Sequence, residues 1–231
     1  VVNPPVVVTI AGSDSGGAAG IAADLTTFAA LGVHGACVVT AVTAQDTTGV
    51  RAVHPVPLDV VAAQLDAVLE DLDPIAVKTG MLAGPDVVRL VARRCAGRIL
   101  VVDPVLVATS GAVLGSAAVA AAYREHLLPV ATVATPNEDE FEALGRPSGA
   151  NVLVTRGGDI ETDNDHGTGC THSSALASYL ALGDDLATAA ARADAFVARQ
   201  LHVSRNWTLG RGRGPVAHVH TPVPPTQGVP A

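Results

Sequence analysis

The sequence predicts an α/β fold, a three-layer, doubly wound, mostly parallel central sheet flanked by helices. Three observations carry this expectation. Valine-rich apolar runs alternate with helical patterns, the order that builds a parallel sheet covered on both faces. The runs end in glycine, proline or asparagine, as buried strands do. Polar clusters fall at the carboxyl ends of successive runs, where ligands collect in such sheets.

The first strand is VVVTIAG (6–12), followed by a glycine-rich turn and a helix from Gly20 to Leu31. GACVVTAVTAQ (35–45) is the second strand. In PLDVVAAQLDAVLEDLDP, Val61, Leu65, Val68, Leu69 and Leu72 share one helical face and Pro74 stops the helix. IAVKTGML (75–82) follows as a strand, then a helix from Asp86 to Arg94. RILVVDPV (98–105), ATVATPN (131–137) and NVLVTRGG (151–158) complete the strands. Two more helices are expected over Cys170 to Leu182 and Asp185 to His202. Residues 1–220 read as one domain, and the proline-rich tail 221–231 is expected to be disordered.

Composition narrows the function. The 231 residues, 48% hydrophobic, can bury one substantial core. A net charge of −8 argues against a broad basic face, so no nucleic-acid partner is expected. An anionic ligand must then be met by backbone amides or a metal. No apolar run approaches a membrane span and no secretion signal is visible, so no membrane partner is expected. Cys37, Cys95 and Cys170 form no CxxC pair, which makes a reducing cytoplasm the expected compartment. The eight histidines lack metal-site spacing, and His218 and His220 are expected at the surface.

Seven stretches carry chemistry. HGTGC places Gly167, Thr168, Gly169 and Cys170 at a helix start. Glycines let successive amides point inward, and the helix dipole favours an anion such as phosphate. The plainer alternative is a helix start capped by Thr168. At that position the Cys170 thiol should be acidified, unless it is a small buried hydrophobe. AGSDSGGAAGIAADL (11–25) has neither dinucleotide nor P-loop spacing, but glycines such as Gly12 let a ligand approach the backbone. Asp24 in the following helix could reach a polar ring or be a solvated carboxylate. Gln45, at the end of TAVTAQ, can pair with a ring bearing an amino group beside a nitrogen, or simply face water. Met81, in KTGML, is an apolar wall or core packing. Asp103 in VVDPV, with Asn137 and Glu140 in TPNEDE, suits magnesium near phosphates. Turn chemistry explains Asp103 and Asn137 equally, and a first-turn helix charge explains Glu140. Thr155 and Gly157, in VTRGG, could line a nucleotide.

Taken in order, AGSDSGG, TAVTAQ, KTGML, VVDPV, TPNEDE, HGTGCT and the closing LGRGRGPVAH resemble the hydroxymethylpyrimidine/phosphomethylpyrimidine kinases of thiamine biosynthesis, within the ribokinase-like superfamily. The resemblance runs from about Val6 to His218. It implies ATP and magnesium as cofactors, usually a homodimer, and a pyrimidine alcohol or its monophosphate as substrate. Asp24, Gln45, Met81 and Val107 match positions around the pyrimidine. Asn137 and Glu140 match the motif that manages magnesium and phosphate, with Asp103 beside them. Residues 167–169 match the anion hole. Cys170 stands where related sugar kinases carry an aspartate base. A pyridoxal kinase of the same superfamily and a catalytically weak pyrimidine-binding protein are the alternatives. Ala18, Ala22 and Thr109 depart from the usual glycine, glutamine and lysine. The stretch from Leu144 to Asp165 is short of a helix and a hairpin.

Overall fold

The computed structural model describes residues 3–107, 111, 114–149, 151–155, 158 and 160–218. Thr109, Gly157, His220 and the expected tail lie outside the described residues. Six strands form one sheet: β1 (Val6–Gly12), β2 (His34–Asp46), β3 (Gly49–Pro55), β4 (Ala76–Thr79), β5 (Ile99–Val102) and β6 (Val133–Ala134). Their order is β3-β2-β1-β4-β5-β6. Every neighbouring pair is parallel except β2 and β3. Seven α-helices are described: α1 (Gly20–Ala30), α2 (Leu58–Asp71), α3 (Pro85–Cys95), α4 (Ala117–Ala122), α5 (Glu138–Ala143), α6 (Thr168–Ala181) and α7 (Leu186–Ser204).

Strand alternation separates two cores. Val8, Ile10, Val38, Val77, Leu100 and Val102 face one side and pack with Val61 and Leu65 of α2 and Val88 and Val91 of α3. Val7, Ala76, Val101 and Val133 face the other, against Phe28 of α1, Leu176 of α6 and Phe196 of α7. Successive side chains of a strand point to opposite faces, so near-continuous valine runs supply both layers. The doubly wound expectation therefore holds. None of the described helices is long and apolar enough to cross a membrane.

The sheet differs from the sequence expectation at its edges. β3 was not anticipated. It is an antiparallel edge strand with five consecutive exposed residues, so it lacks the apolar signature of a buried strand. At the opposite edge, the expected strand 151–158 is reduced to isolated bridges, Ala134 to Val152 and Asn137 to Thr155. The amide of Leu153 donates to Ala134 O at 2.8 Å and that of Thr155 to Pro136 O at 2.8 Å. Thus the compact connection after α5 still lays chain along β6.

On one side β1 leads to β2, and on the other it pairs with β4. That switch opens a crevice beyond the strand ends. Gly20 starts α1 there with φ +56, and a Cβ on it would collide with the carbonyl oxygen of Gly12. Gly32 also has positive φ, +76, but its Cβ would meet open space. Gly32→Ala should therefore cost only the backbone strain, about 1 kcal/mol. Gly20→Ala should cost at least about 2 kcal/mol, since a backbone oxygen must also move. Urea melts of the two variants check this ordering.

Candidate active site

The crevice is a cavity of about 1070 Å³. Gly12, Gln45, Met81, Asp103, Val107, Asn137, Glu140, Thr155 and residues 167–170 all line it. The sequence-derived candidates thus converge, with two exceptions. Gly157 lies outside the described residues. Asp24 does not line the cavity, which corrects its expected contact with a ring. Its carboxylate is fully buried and its oxygens are occupied. Thr9 Oγ1 donates to Oδ2 at 2.6 Å, while Lys78 Nζ and Ser174 Oγ donate to Oδ1 at 2.8 and 2.7 Å.

Lys78 was quoted in KTGML without a role. Its side chain is wholly buried beneath the cavity, with Nζ 2.8 Å from Asp24 and 3.9 Å from Asp103. Burial alone would weaken its hold on the proton. The carboxylates of Asp24 and Asp103 outweigh burial and raise its pKa. The ammonium is therefore a permanent charge behind the site.

The glycine turn has the geometry of an anion hole. Gly167 caps α6 in the left-handed region, φ +90, where a Cβ would collide with Ala18 O. No side chain caps this helix. The Thr168 amide donates to Asp165 O at 3.2 Å and that of Thr171 to Gly167 O at 2.9 Å. Amides in a helix's first turn have no intrahelical acceptor, which leaves those of Gly169 and Cys170 for a ligand. The closing motif braces this corner. Val216 N donates to His166 O and His166 N to Gly214 O, both at 3.0 Å. His218, expected at the surface, instead packs here, with Nδ1 3.0 Å from Thr171 Oγ1.

Cys170 corrects a second expectation. It keeps some surface open to the cavity, yet burial pushes its thiol up to about 12, against the pull of Lys78 and with Asp24 and Asp103 adding to the rise. The helix start does not produce a thiolate, because burial disfavours the charge and two carboxylates close behind add to that.

At the other end, Asn137 and Glu140 form a capping box for α5. Asn137 Oδ1 accepts from Glu140 N at 2.8 Å, and Glu140 Oε2 accepts from Asn137 N at 3.0 Å. Glu140 Oε1 also accepts from Leu106 N at 3.3 Å. Local helix chemistry thus accounts for the N-x-x-E spacing, and the same two residues face the cavity. Burial and then Asp103 push Glu140 from 4.5 to about 8. Burial likewise raises Asp103, against Lys78 and Ser173. Two carboxylates that destabilise one another's charge gain from a divalent cation between ligand and protein. Among the described residues no three or more His, Cys, Asp or Glu side chains converge as a metal cage. The set therefore fits magnesium held with water and phosphate oxygens.

Reasoning from sequence missed Asp14 and His166, which also line the cavity. Asp14 accepts amides of Gly16, Ala18 and Ala19 at 2.8, 3.0 and 2.8 Å. Burial would raise its pKa, but hydrogen bonds from His166 and the loop amides outweigh it and hold it low. The signal was present, an aspartate inside SDSGG, where Asx turns are common.

The phosphomethylpyrimidine kinase family model matches residues 14–153 and 147–217. The chain belongs to that family. A Rhizobium meliloti protein named hydroxymethylpyrimidine/phosphomethylpyrimidine kinase is 42% identical, covering 93% of this chain and 97% of that protein. Its match runs over 259 aligned positions, more than the 231 residues here. The relative therefore holds segments with no counterpart in this member of the family. Pyridoxal kinase from Staphylococcus aureus, solved with pyridoxal, superposes with a TM-score of 0.82 at 31% identity, covering 94% of each chain. Phosphomethylpyrimidine kinase from Clostridium difficile gives 0.72 at 34%, covering 84% of this chain and 98% of that one.

Two measurements test these electrostatics. Lys78→Met leaves Asp24 buried without its counter-charge and should cost about 3–5 kcal/mol. Lys78→Met/Asp24→Asn should recover part of that loss in urea melts. For Glu140, the folded pKa lies above the unfolded one, so the unfolded state loses its proton first. Stability without added divalent cations should be highest below about 4.5 from this group, and fall as pH rises toward about 8. Glu140→Gln should flatten that part of a pH series of melts.

Proposed function

We propose that this protein transfers phosphate from ATP to 4-amino-5-hydroxymethyl-2-methylpyrimidine and then to its monophosphate, giving the diphosphate used for thiamine. The observation that carries this reading is the convergence of an amide-lined anion corner, a polar ring wall and paired carboxylates on one cavity in a chain of this family. ATP use is supported by the pyridoxal kinase from Staphylococcus aureus, which has been solved with ADP and with AMP-PCP.

In this mechanism Gln45, Met81, Gly12 and Val107 receive the ring. The amides of Gly169 and Cys170 stabilise charge on the transferring group. Thr155 lies along the nucleotide. Lys78, fixed below the corner, adds positive potential without touching substrate. Such preorganised charge is the main requirement of phosphoryl transfer. Magnesium, held by Glu140 and Asp103 through water, would neutralise phosphate charge. Cys170 bears on the attacking oxygen as a neutral thiol. We also place the enzyme in the cytoplasm, where free Cys37, Cys95 and Cys170 stay reduced. A homodimer is proposed too.

The test is a coupled ADP-release assay on the alcohol, the monophosphate and pyridoxal side by side. The pyridoxal arm is included because several pyridoxal kinases superpose well with this chain. Higher kcat/KM for the pyrimidines is expected; a preference for pyridoxal overturns the substrate assignment. A protonated thiol cannot accept the alcohol's proton. Cys170→Ala should therefore lower kcat on alcohol and monophosphate alike, within about threefold of one another. A loss confined to the alcohol would restore a base role to Cys170.

A further inference from the structure

Gln45 and His166 are 121 residues apart, yet their side chains meet on the cavity wall, with Gln45 Nε2 2.9 Å from His166 Nε2. The nitrogen and oxygen of a carboxamide exchange places by a half-turn, and the surrounding hydrogen bonds decide which belongs where. Here two features decide it. Asp14 Oδ2 lies 3.5 Å from the same His166 nitrogen, and three loop amides stop that carboxylate from turning away. A lone pair on Nε2 would be repelled by the carboxylate, whereas an N–H is attracted. The second feature is His166 Nδ1, which is buried with no hydrogen-bond partner. A proton there would lack an acceptor, a costly arrangement for a buried donor.

Both features put the imidazole proton on Nε2. Two donors cannot share one hydrogen bond, so the amide oxygen of Gln45 must face His166. Its NH2 then turns toward the cavity.

We propose that His166, braced by Asp14, is a positioning residue that fixes the Gln45 amide as a donor toward the substrate. The site thereby selects rings that present a nitrogen acceptor to this wall. The inference rests on the pyrimidine reading and adds which edge of the ring is read. It also gives the histidine of HGTGC a task separate from the anion corner beside it.

The first test needs no substrate. Nitrogen NMR of histidine-labelled protein, with the His166 signals assigned by loss in His166→Gln, should show Nε2 protonated and Nδ1 bare. A proton on Nδ1 overturns the proposal, whatever the substrate proves to be. The second is a calorimetric cycle of pyrimidine binding to wild type, His166→Phe, Gln45→Met and the double variant. Phe keeps the ring shape and removes both nitrogens. His166→Phe should weaken binding about tenfold, but by less than about twofold when Gln45 is already Met. Equal losses in both backgrounds would mean that His166 does not act through Gln45. In turnover the single variant should raise KM and leave kcat within about twofold. His166→Gln, which returns an N–H near the Nε2 position, should recover at least half of the lost affinity. If thermal melts show His166→Phe unfolded, His166→Gln and the NMR result decide. Failure of the pyrimidine reading would appear differently, as wild type that does not bind the pyrimidine at all.

Discussion

The buried pair of Lys78 and Asp24 holds this site in place. Its members and their partners come from four elements: Thr9 on β1, Asp24 on α1, Lys78 on β4 and Ser174 on α6. No water reaches either charge, since both side chains are fully buried. Desolvating two ions is expensive, and the cost is offset only when remaining lone pairs and protons are satisfied. Here two hydroxyls satisfy the carboxylate, and a second carboxylate, Asp103, lies 3.9 Å from the ammonium as a further counter-charge. A hydrophobic replacement could be as stable. What the ionic version adds is a fixed positive charge directly below the start of α6.

That charge makes sense of the chemistry above it. The protein as a whole carries −8, and the cavity contains Asp14, Asp103 and Glu140. A nucleotide's phosphates would be repelled by such a lining if nothing opposed it. The opposition is local: amides at 167–170, a helix start and Lys78. Cys170 nonetheless stays a thiol, because burial disfavours its charge and the carboxylates that anchor Lys78 add to that, against the pull of Lys78. Stabilising the transferring group and acidifying the thiol are thus separate demands. The structure meets the first. Phosphoryl transfer, which needs positioning more than a strong base, tolerates the loss of the second.

The central strands and five long helices were legible because each buries apolar residues at a regular period. The parts that escaped have physical reasons. β3 is an exposed ribbon edge whose partner β2 supplies the pairing. α4 has six residues, AAVAAA, too few and too uniform to show a period. Lys78 sits inside an apolar run, and nothing local says that its counter-ion lies 54 residues earlier. Asp24 was assigned to the ring because α1 opens on the cavity; the helix turns that carboxylate inward, toward Lys78. The thiol was misjudged because a helix start is a sequence feature, whereas the burial of Cys170 and the carboxylates behind it are tertiary ones. Gln45, Met81 and the glycine turn were found because strand ends and helix starts mark the crevice directly.

The short connection between α5 and α6 bears on this division. The two matched stretches of the family model overlap at 147–153, inside the connection that the sequence marks as short. Its described residues Val152, Leu153, Val154 and Ile160 line the cavity, yet none of them bonds to Lys78, Asp24 or the amides of 167–170. Lys78 and Asp24 are tied instead to β1, β4 and α6, and the glycine turn is braced by the bridge between His166 and Pro215 beside it. Shortening a surface connection changes loop-closure entropy only slowly with length, so the fold can accept it. Its effect then falls on the apolar flank of the cavity, leaving the charge-stabilising corner as it is. On the proposed reading, affinity for the nucleotide and stabilisation of the transferring phosphoryl group are therefore separable, because different stretches of chain would hold them.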